Sequence, residues 1–599
     1  MNTLLNSEFD SGQKSKIEDQ RLKIKNQKLI IKNQKSKINS TVIAGLTRNP
    51  KMGMLKHLCF ARSARQVQHD VLSQIVLCLL VMFSSCTGKF EEYNTHPTNP
   101  RELTKPERTG ILFPDMLRLM HNEQENRNQM IEQMIGNQYG GYMVTTNNWQ
   151  GRNFGTFNPP PEWIAYPFEQ TFTRFYPNYL KVKEITEGKG YIYAWANVIR
   201  VAVMLRIADT YGPIPYSQMG DGKVAVEYDD VQDLYYYMIE DLDNSILALT
   251  AFVSEAGVNN PMSDYDIVYK GDFSKWIKFA NSLKLRMAVR IGLVDTEYAK
   301  EVMNKAIAGG CIEANGDNAY LPATKNPYHL SAFVWQDLAI SATLGVYLNG
   351  WNDPRRSVYM TETGYQFRGA RMGVNNVDKN IYGDPTLYSK PNFHAESPLM
   401  VYNAAETYFL QAEAALRGWI TGNAQTLYER GIDLSMEQHR VAVGSYKTTT
   451  ANVQNYQDHW GTGDYNCGSS ANGGTVTVSW SSNATGTSAD ERRLEKIITQ
   501  KWLANFPLGF ETWCDFRRTG YPRIFPAHTN HSSAGTGGAV NNPTTIGNGS
   551  GVTPGPVRLV RRLPYPVSEY NGNSVNVQNA VDMLGGPDEF ATNLWWARK

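Results

Sequence analysis

Tyr191-Ile-Tyr-Ala-Trp-Ala-Asn-Val-Ile-Arg-Val-Ala-Val-Met-Leu-Arg-Ile-Ala-Asp209 is the stretch that decides the fold. Ala194, Val198, Val201, Leu205 and Ala208 recur every three or four residues, the spacing of one face of an amphipathic helix. Tyr211-Gly-Pro-Ile-Pro215 stops that helix at once. Working outward, the same pattern predicts helices over 163–187, 229–249, 273–291 and 297–308, the last closed by Gly309-Gly310. Neighbouring helices joined by Gly/Pro turns suggest tetratricopeptide-like hairpins.

The chain before this region has a different character. Ile75-Val-Leu-Cys-Leu-Leu-Val-Met-Phe-Ser-Ser-Cys86 is a short apolar run ending in small residues and a cysteine. Nine apolar residues span only ~14 Å as a helix, against a hydrocarbon core of ~30 Å, so the run reads as a secretion signal and not a membrane span. Phe83-Ser84-Ser85-Cys86 resembles a bacterial lipobox, which makes Cys86 the expected lipidation site. Thr87-Gly-Lys-Phe-Glu-Glu-Tyr-Asn94 then has the polar, acidic character of a tether and of surface-export signals. The expected organisation is a non-structural, upstream-translated extension over 1–53, a lipoprotein signal peptide over 54–85, a tether over 86–108 and one domain over 109–599. Basic repeats such as Gln13-Lys-Ser-Lys-Ile17 and Gln34-Lys-Ser-Lys-Ile38 mark the extension.

Removing residues 1–85 takes 14 of 59 basic and 5 of 57 acidic residues, leaving a net charge of −7. No basic field for nucleic acid remains. Of six cysteines, Cys86, Cys311, Cys467 and Cys514 survive that cut, at separations that suggest no metal motif. Export permits disulfides without requiring them.

Helical spacing also runs from Gly110 to Gly136, and helices are expected over 404–418, 424–439 and 491–507. Between them lie a long aromatic loop over 140–161 and a turn-rich stretch over 313–395. A Gly/Ser/Thr/Asn-rich flexible insertion is expected over 451–489, a flexible loop over 530–555 and an extended tail from Val557.

Several stretches together resemble the SusD/RagB family of outer-membrane lipoproteins. They are Trp195 to Tyr216, Lys275 to Arg290, Tyr408 to Trp419, Ile497 to Trp502 with Arg517 to Pro522, Arg561 to Pro566 with Glu569-Tyr570, and Leu594-Trp-Trp596. Each is weak alone, but the ordered set spans nearly all of the mature chain. The resemblance implies a mainly α fold of tetratricopeptide-like hairpins packed with a loop-rich, irregular, ligand-facing region. It also implies a lipid-anchored protein, exposed at the cell surface, that binds oligosaccharides or peptides. Such proteins cap a SusC-like TonB-dependent transporter in the outer membrane. The N-terminal extension and the 451–489 insertion depart from the family pattern.

The candidate sites follow from residue chemistry. Glu406 and Glu413 lie on one helix face, about 10.5 Å apart along it, slightly beyond the acid/base separation of inverting glycosidases. They are expected to form structural ion pairs. Arg517-Arg518 and Arg561-Arg562 are expected to maintain the fold, and His528-x-x-His531 lacks a third ligand nearby. No catalytic residue, metal or cofactor is expected. A sugar ring stacks its C–H face on an indole or phenol while amides bind its hydroxyls. Trp149, with Asn147, Asn148, Gln150 and Arg152, offers both in a loop, and Tyr328, Trp335, Gln336 and Asp337 offer a second group. Trp163 fits either a ligand contact or the core, whereas Trp195, Trp276, Trp502 and Trp513 fit the core. The expected function is non-catalytic capture of oligosaccharides or peptides for the transporter. The alternatives are a surface glycoside hydrolase and a helical-repeat scaffold that binds only proteins.

Overall fold

The helix at the centre of the molecule is sheathed on every side. In the computed structural model, which describes residues 103–256, 260–364, 366–375, 377–458, 476–540 and 560–598, it spans Gly190–Tyr211. Nearly every side chain from Ala194 to Tyr211 is buried, so the apolar stripe expected of an amphipathic helix widens to the whole circumference. The cause is its position between neighbours. Helices α1 (Pro161–Thr186), α2 (Gly190–Tyr211), α3 (Val231–Ala256), α4 (Phe273–Ile291) and α5 (Thr296–Ala308) each pack on the next, the expected helical hairpins. Trp195 stacks on Phe113 with ring centroids 3.8 Å apart, and Trp276 closes edge-on against it. A helix this apolar is normally a core or membrane element; α2 is long and apolar enough to cross a membrane and lies instead in the protein core.

The second half adds α6 (Ala342–Gly350), α7 (Ala404–Leu416), α8 (Ala424–Gln438), α9 (Ala489–Ala504), α10 (Gly509–Thr519), α11 (Val567–Gly572) and α12 (Ser574–Leu584). Helix α7 packs on α8 and α9 and joins the first half through α4. Two short antiparallel ladders complete the described architecture. They pair β1 (Met143–Thr145) with β3 (Leu338–Ile340), and β2 (Ala319–Leu321) with β4 (Leu399–Tyr402).

Five of these helices are tied by one buried chain of charge. Arg290 pairs with Asp209 and Glu511. Arg286 grips Glu406 with two bonds of 2.7 Å. Lys501 meets Asp515 at 2.9 Å and Glu406 at 3.8 Å. Arg518 donates to Glu413 at 2.8 Å and to Asp515 at 3.1 Å, and Arg417 reaches Glu413 at 2.9 Å. Glu406 and Glu413 are thus the ion-paired residues expected. Burial pushes the Glu413 carboxyl up, but Arg518 and Arg417 outweigh it and hold the group below its ordinary value. Both arginine doublets serve the fold: beside Arg518, Arg517 donates to the Asp209 and Arg561 carbonyls, and in the second doublet Arg562 donates to the Tyr211 carbonyl and the Asp588 carboxylate.

Several expectations need correction. The tether does not extend to 108, because Lys105–Gly110 is helical, with Thr104 and Glu107 forming a capping box. The helical pattern over 110–136 is not one helix. It breaks into Phe113–Leu117, a turn, and a wide helical stretch over Asn128–Asn137. That widening lets the stretch meet α10 backbone to backbone: a Cβ on Gly509 would stand 2.2 Å from the Gly136 carbonyl carbon. The described flanks of the 451–489 insertion are packed, with Val453, Tyr456, Val476 and Val478 buried and Trp480 against Tyr428. Val540, in the loop expected to be flexible, is also buried. The tail expected to be extended carries α11 and α12. Cys86 and the signal peptide lie outside the described residues, while Cys311 and Cys514 are buried free thiols.

Candidate ligand-binding loops

The two loops singled out by their aromatics leave the same end of one ladder. Met143, Val144 and Thr145 pair with Ile340, Ala339 and Leu338, and Thr146 N–H continues the register by donating to the Asp337 carbonyl at 3.0 Å. Beyond that rung one strand runs on to Trp149, and the other is preceded by Trp335. Paired strands lie ~4.8 Å apart, so the loops start as immediate neighbours.

The first loop is held by its own side chains. Asn147 Oδ1 accepts the Trp149 N–H at 3.2 Å, an Asx turn, and Asn158 Nδ2 donates to the Gly151 carbonyl at 2.9 Å. Between these anchors Trp149, Gln150 and Gly151 all take left-handed backbone, with φ of 39°, 60° and 77°. No atom crowds Gly151, so its glycine serves the backbone angle and not a close approach. In the second loop Gln336 is left-handed too, at φ 56°. The three that are not glycine cost ~1–3 kcal/mol each and persist only where their surroundings over-determine them, which is characteristic of ligand clamps and switch regions.

Trp149 is half-buried and stands edge-to-face on Trp163, with centroids 5.7 Å apart at 89°. Trp163, at the start of α1, lies parallel to Phe154 at 6.4 Å. It therefore shares both readings: it supports Trp149 while staying half-buried itself. Asn148 is half-buried, and Gln150 and Arg152 are exposed beside it. Trp335 is half-buried with no ring partner among the described residues, and follows Val334, which is 64% exposed.

Tyr328 is not on this face. Asn326 Oδ1 caps the turn by accepting the Tyr328 and His329 N–H groups, which aims Tyr328 inward. Its hydroxyl meets His121 Nε2 at 2.9 Å and the Asn137 amide at 3.1 Å, and it is fully buried. The sequence grouped it with Trp335, but the six residues between them turn from core to surface.

Asp337 proves to be a junction and not a free ligand group. Its carboxylate accepts from Gln129 Nε2 at 3.1 Å and Asn147 Nδ2 at 3.2 Å, and pairs with Lys379 Nζ at 2.6 Å. Beside this junction Lys390 is wholly buried, donating to the carbonyls of Leu338 at 3.0 Å and Tyr382 at 3.2 Å. Burial lowers its pKa to about 7, with Asp384 and Asp337 too weak an offset. Gln129, Lys379 and Lys390 escaped sequence reasoning because no local pattern links them to the aromatic loops. His531 backs the far limb of the first loop, its N–H donating to the Thr156 carbonyl while its ring faces Asn375 at 3.4 Å.

A helical-hairpin scaffold presenting aromatic loops defines a binding protein more readily than a catalytic cleft. The chain belongs to the SusD-like family of Susd and RagB outer membrane lipoproteins, whose family model matches residues 92–597. It is similar to a SusD-like protein of Bacteroides thetaiotaomicron, at 36% identity over 82% of this chain and 99% of that one, with a TM-score of 0.72. A SusD homologue of Bacteroides uniformis matches at 35% over the same shares, also at 0.72. A chitin-binding SusD homologue of Flavobacterium johnsoniae matches at 31%, covering 82% of this chain and 99% of its own length, at 0.72. No curated protein sequence matches the chain.

Proposed function

We propose that the protein is a non-catalytic surface lipoprotein that captures oligosaccharides on the Trp149 and Trp335 loops and passes them to a SusC-like TonB-dependent transporter. The observation that carries this reading is the pair of adjacent strained loops, each presenting a half-buried indole. Asn148, Arg152 and Gln336 supply polar groups nearby, and Trp163 completes the aromatic wall. The glycoside hydrolase alternative loses its two carboxylates, because Glu406 and Glu413 are buried and ion-paired. The chitin-binding relative puts chitooligosaccharides first among the ligands to try.

Isothermal titration with chitooligosaccharides, other glycans and short peptides tests the reading. Saturable binding by wild type, weakened in Trp149→Ala and Trp335→Ala, supports it. Unchanged affinity in both variants would place the site elsewhere. The anchor and partner have their own tests. Mass spectrometry of membrane-extracted protein is expected to find a lipidated Cys86 as first residue, and peptides from residues 13–40 would refute that. Purification in gentle detergent is expected to bring down a β-barrel partner, and elution alone would sink the delivery role.

A further inference from the structure

We propose that Asp337 is the positioning residue of this face: its carboxylate fixes the Trp149 and Trp335 loops relative to one another and so sets a preference for chains long enough to touch both rings. The inference rests on the binding role proposed above. Three donors converge on Asp337 from three separate segments. Gln129 comes from the wide helical stretch, Asn147 from the root of the Trp149 loop, and Lys379 from the short helix Lys379–Tyr382. The backbone of Asp337 is engaged as well. Its carbonyl takes the Thr146 N–H, and its own N–H donates to the Ser331 carbonyl at 2.8 Å. The side chain is only 12% exposed, whereas Lys379 is 40% exposed, so the carboxylate is the fixed member of the pair.

The need for such a group follows from the strain. Four left-handed residues, Trp149, Gln150, Gly151 and Gln336, flank the ladder end, and nothing in their own sequence favours that geometry in Trp149 or the glutamines. Asn147 links the two loops through both of its side-chain atoms: Oδ1 holds the Trp149 N–H, and Nδ2 reaches Asp337. Removing the carboxylate would release Asn147, and with it the turn that carries Trp149. Two stacking platforms held at fixed spacing act as linked sites, so a chain spanning both gains affinity over one touching a single ring; platforms that wander lose that gain.

The test uses the lipid-free mature protein labelled with 5-fluorotryptophan, with the Trp149 and Trp335 resonances assigned from Trp149→Phe and Trp335→Phe. In Asp337→Ala without ligand, both resonances are expected to shift or broaden while those of buried Trp276 and Trp502 stay in place. Chitobiose and chitohexaose are then titrated. Wild type is expected to prefer the longer chain by about tenfold or more, and Asp337→Ala to reduce that preference to about threefold or less with little change for chitobiose. Asp337→Asn, which keeps an acceptor for Asn147, is expected to retain most of the preference. Unmoved fluorine resonances in Asp337→Ala, or an intact length preference, would overturn the proposal. If Asp337→Ala does not fold, Lys379→Met is read on the same resonances, and no movement there refutes the clamp. If chitin fragments do not bind wild type, the fluorine spectra still decide the clamp while the binding reading is tested on other glycans.

Discussion

Two buried lysines show how differently two regions of this molecule use charge. Lys501 lies in the ionic chain between α9, α7 and α10, with Asp515 and Glu406 against it. Lys390 lies beside the candidate aromatic loops and meets only backbone carbonyls. The first joins helices whose every turn is regular. The second braces a segment where the backbone is left-handed and two aromatic rings are only half covered. Charge paired with charge fixes the scaffold, and charge spent on carbonyls supports a face whose geometry no regular element provides.

Breaking the ionic chain should have the largest effect. Arg518→Met strips Glu413 and Asp515 of a buried partner. A loss of about 3–5 kcal/mol is expected in urea denaturation, because Glu413 keeps only Arg417 and Asp515 only Lys501, leaving the buried cluster one positive charge short. A loss under about 1 kcal/mol would show that the chain is not structural.

On the loop face the effect should fall on binding. By analogy with base stacking, Trp149→Ala is expected to weaken the ligand by about 1–3 kcal/mol. Stability should fall by only about 0.5–1.5 kcal/mol, from the lost edge-to-face contact with Trp163. A large drop in melting temperature would make the ring a core residue and blur the contrast between the two regions.

The lysine comparison can be sharpened by pH. Lys390 titrates near 7 in the folded protein and near 10.5 unfolded, so between these values the unfolded chain holds a proton the folded one lacks. Stability therefore rises with pH across that window, by about 2 kcal/mol from Lys390 between pH 7 and 9. Lys496, lowered by burial to about 8, adds a smaller limb of the same sign. Denaturation of Lys390→Met at these two pH values should keep only the Lys496 limb; an undiminished limb would show that Lys390 is solvated.

The smallest effect should come from Tyr328→Phe. It removes one hydroxyl from the buried contact with His121 and Asn137, at about 1 kcal/mol of stability, and leaves ligand affinity unchanged. A fall in affinity would return Tyr328 to the binding surface.

What could be read from the sequence divides along the same line. Helices such as Phe273–Ile291 were legible to the residue because apolar spacing is a local signal. The aromatic loops were legible as loops, since Trp149 sits among Asn, Thr and Gly with no periodicity. Tyr328 and Trp335 could not be separated, because which side of a turn faces the core depends on His121, some 207 residues away. The short helix α6 was hidden in a Gly- and Trp-rich stretch, and α12 in an Asn-rich tail. Helix α2 misled in the other direction: its apolar face was plain, but only its neighbours show that the remaining faces are covered as well.

That covering also bears on how the chain is made. For a chain exported unfolded behind a signal peptide, Gly190–Tyr211 would meet the inner membrane before its neighbours α1, α3 and α4 can shield it. At that moment it is 22 residues of mostly apolar helix, long enough to stop and stay. Arg200, Arg206 and Asp209 argue against stopping, since each costs about 2.5–3.5 kcal/mol at the middle of a bilayer and less toward its edge. Later they find Tyr216, Glu132 and Arg290. The charges that tie the helix into the finished core would thus first keep it moving toward the outer membrane.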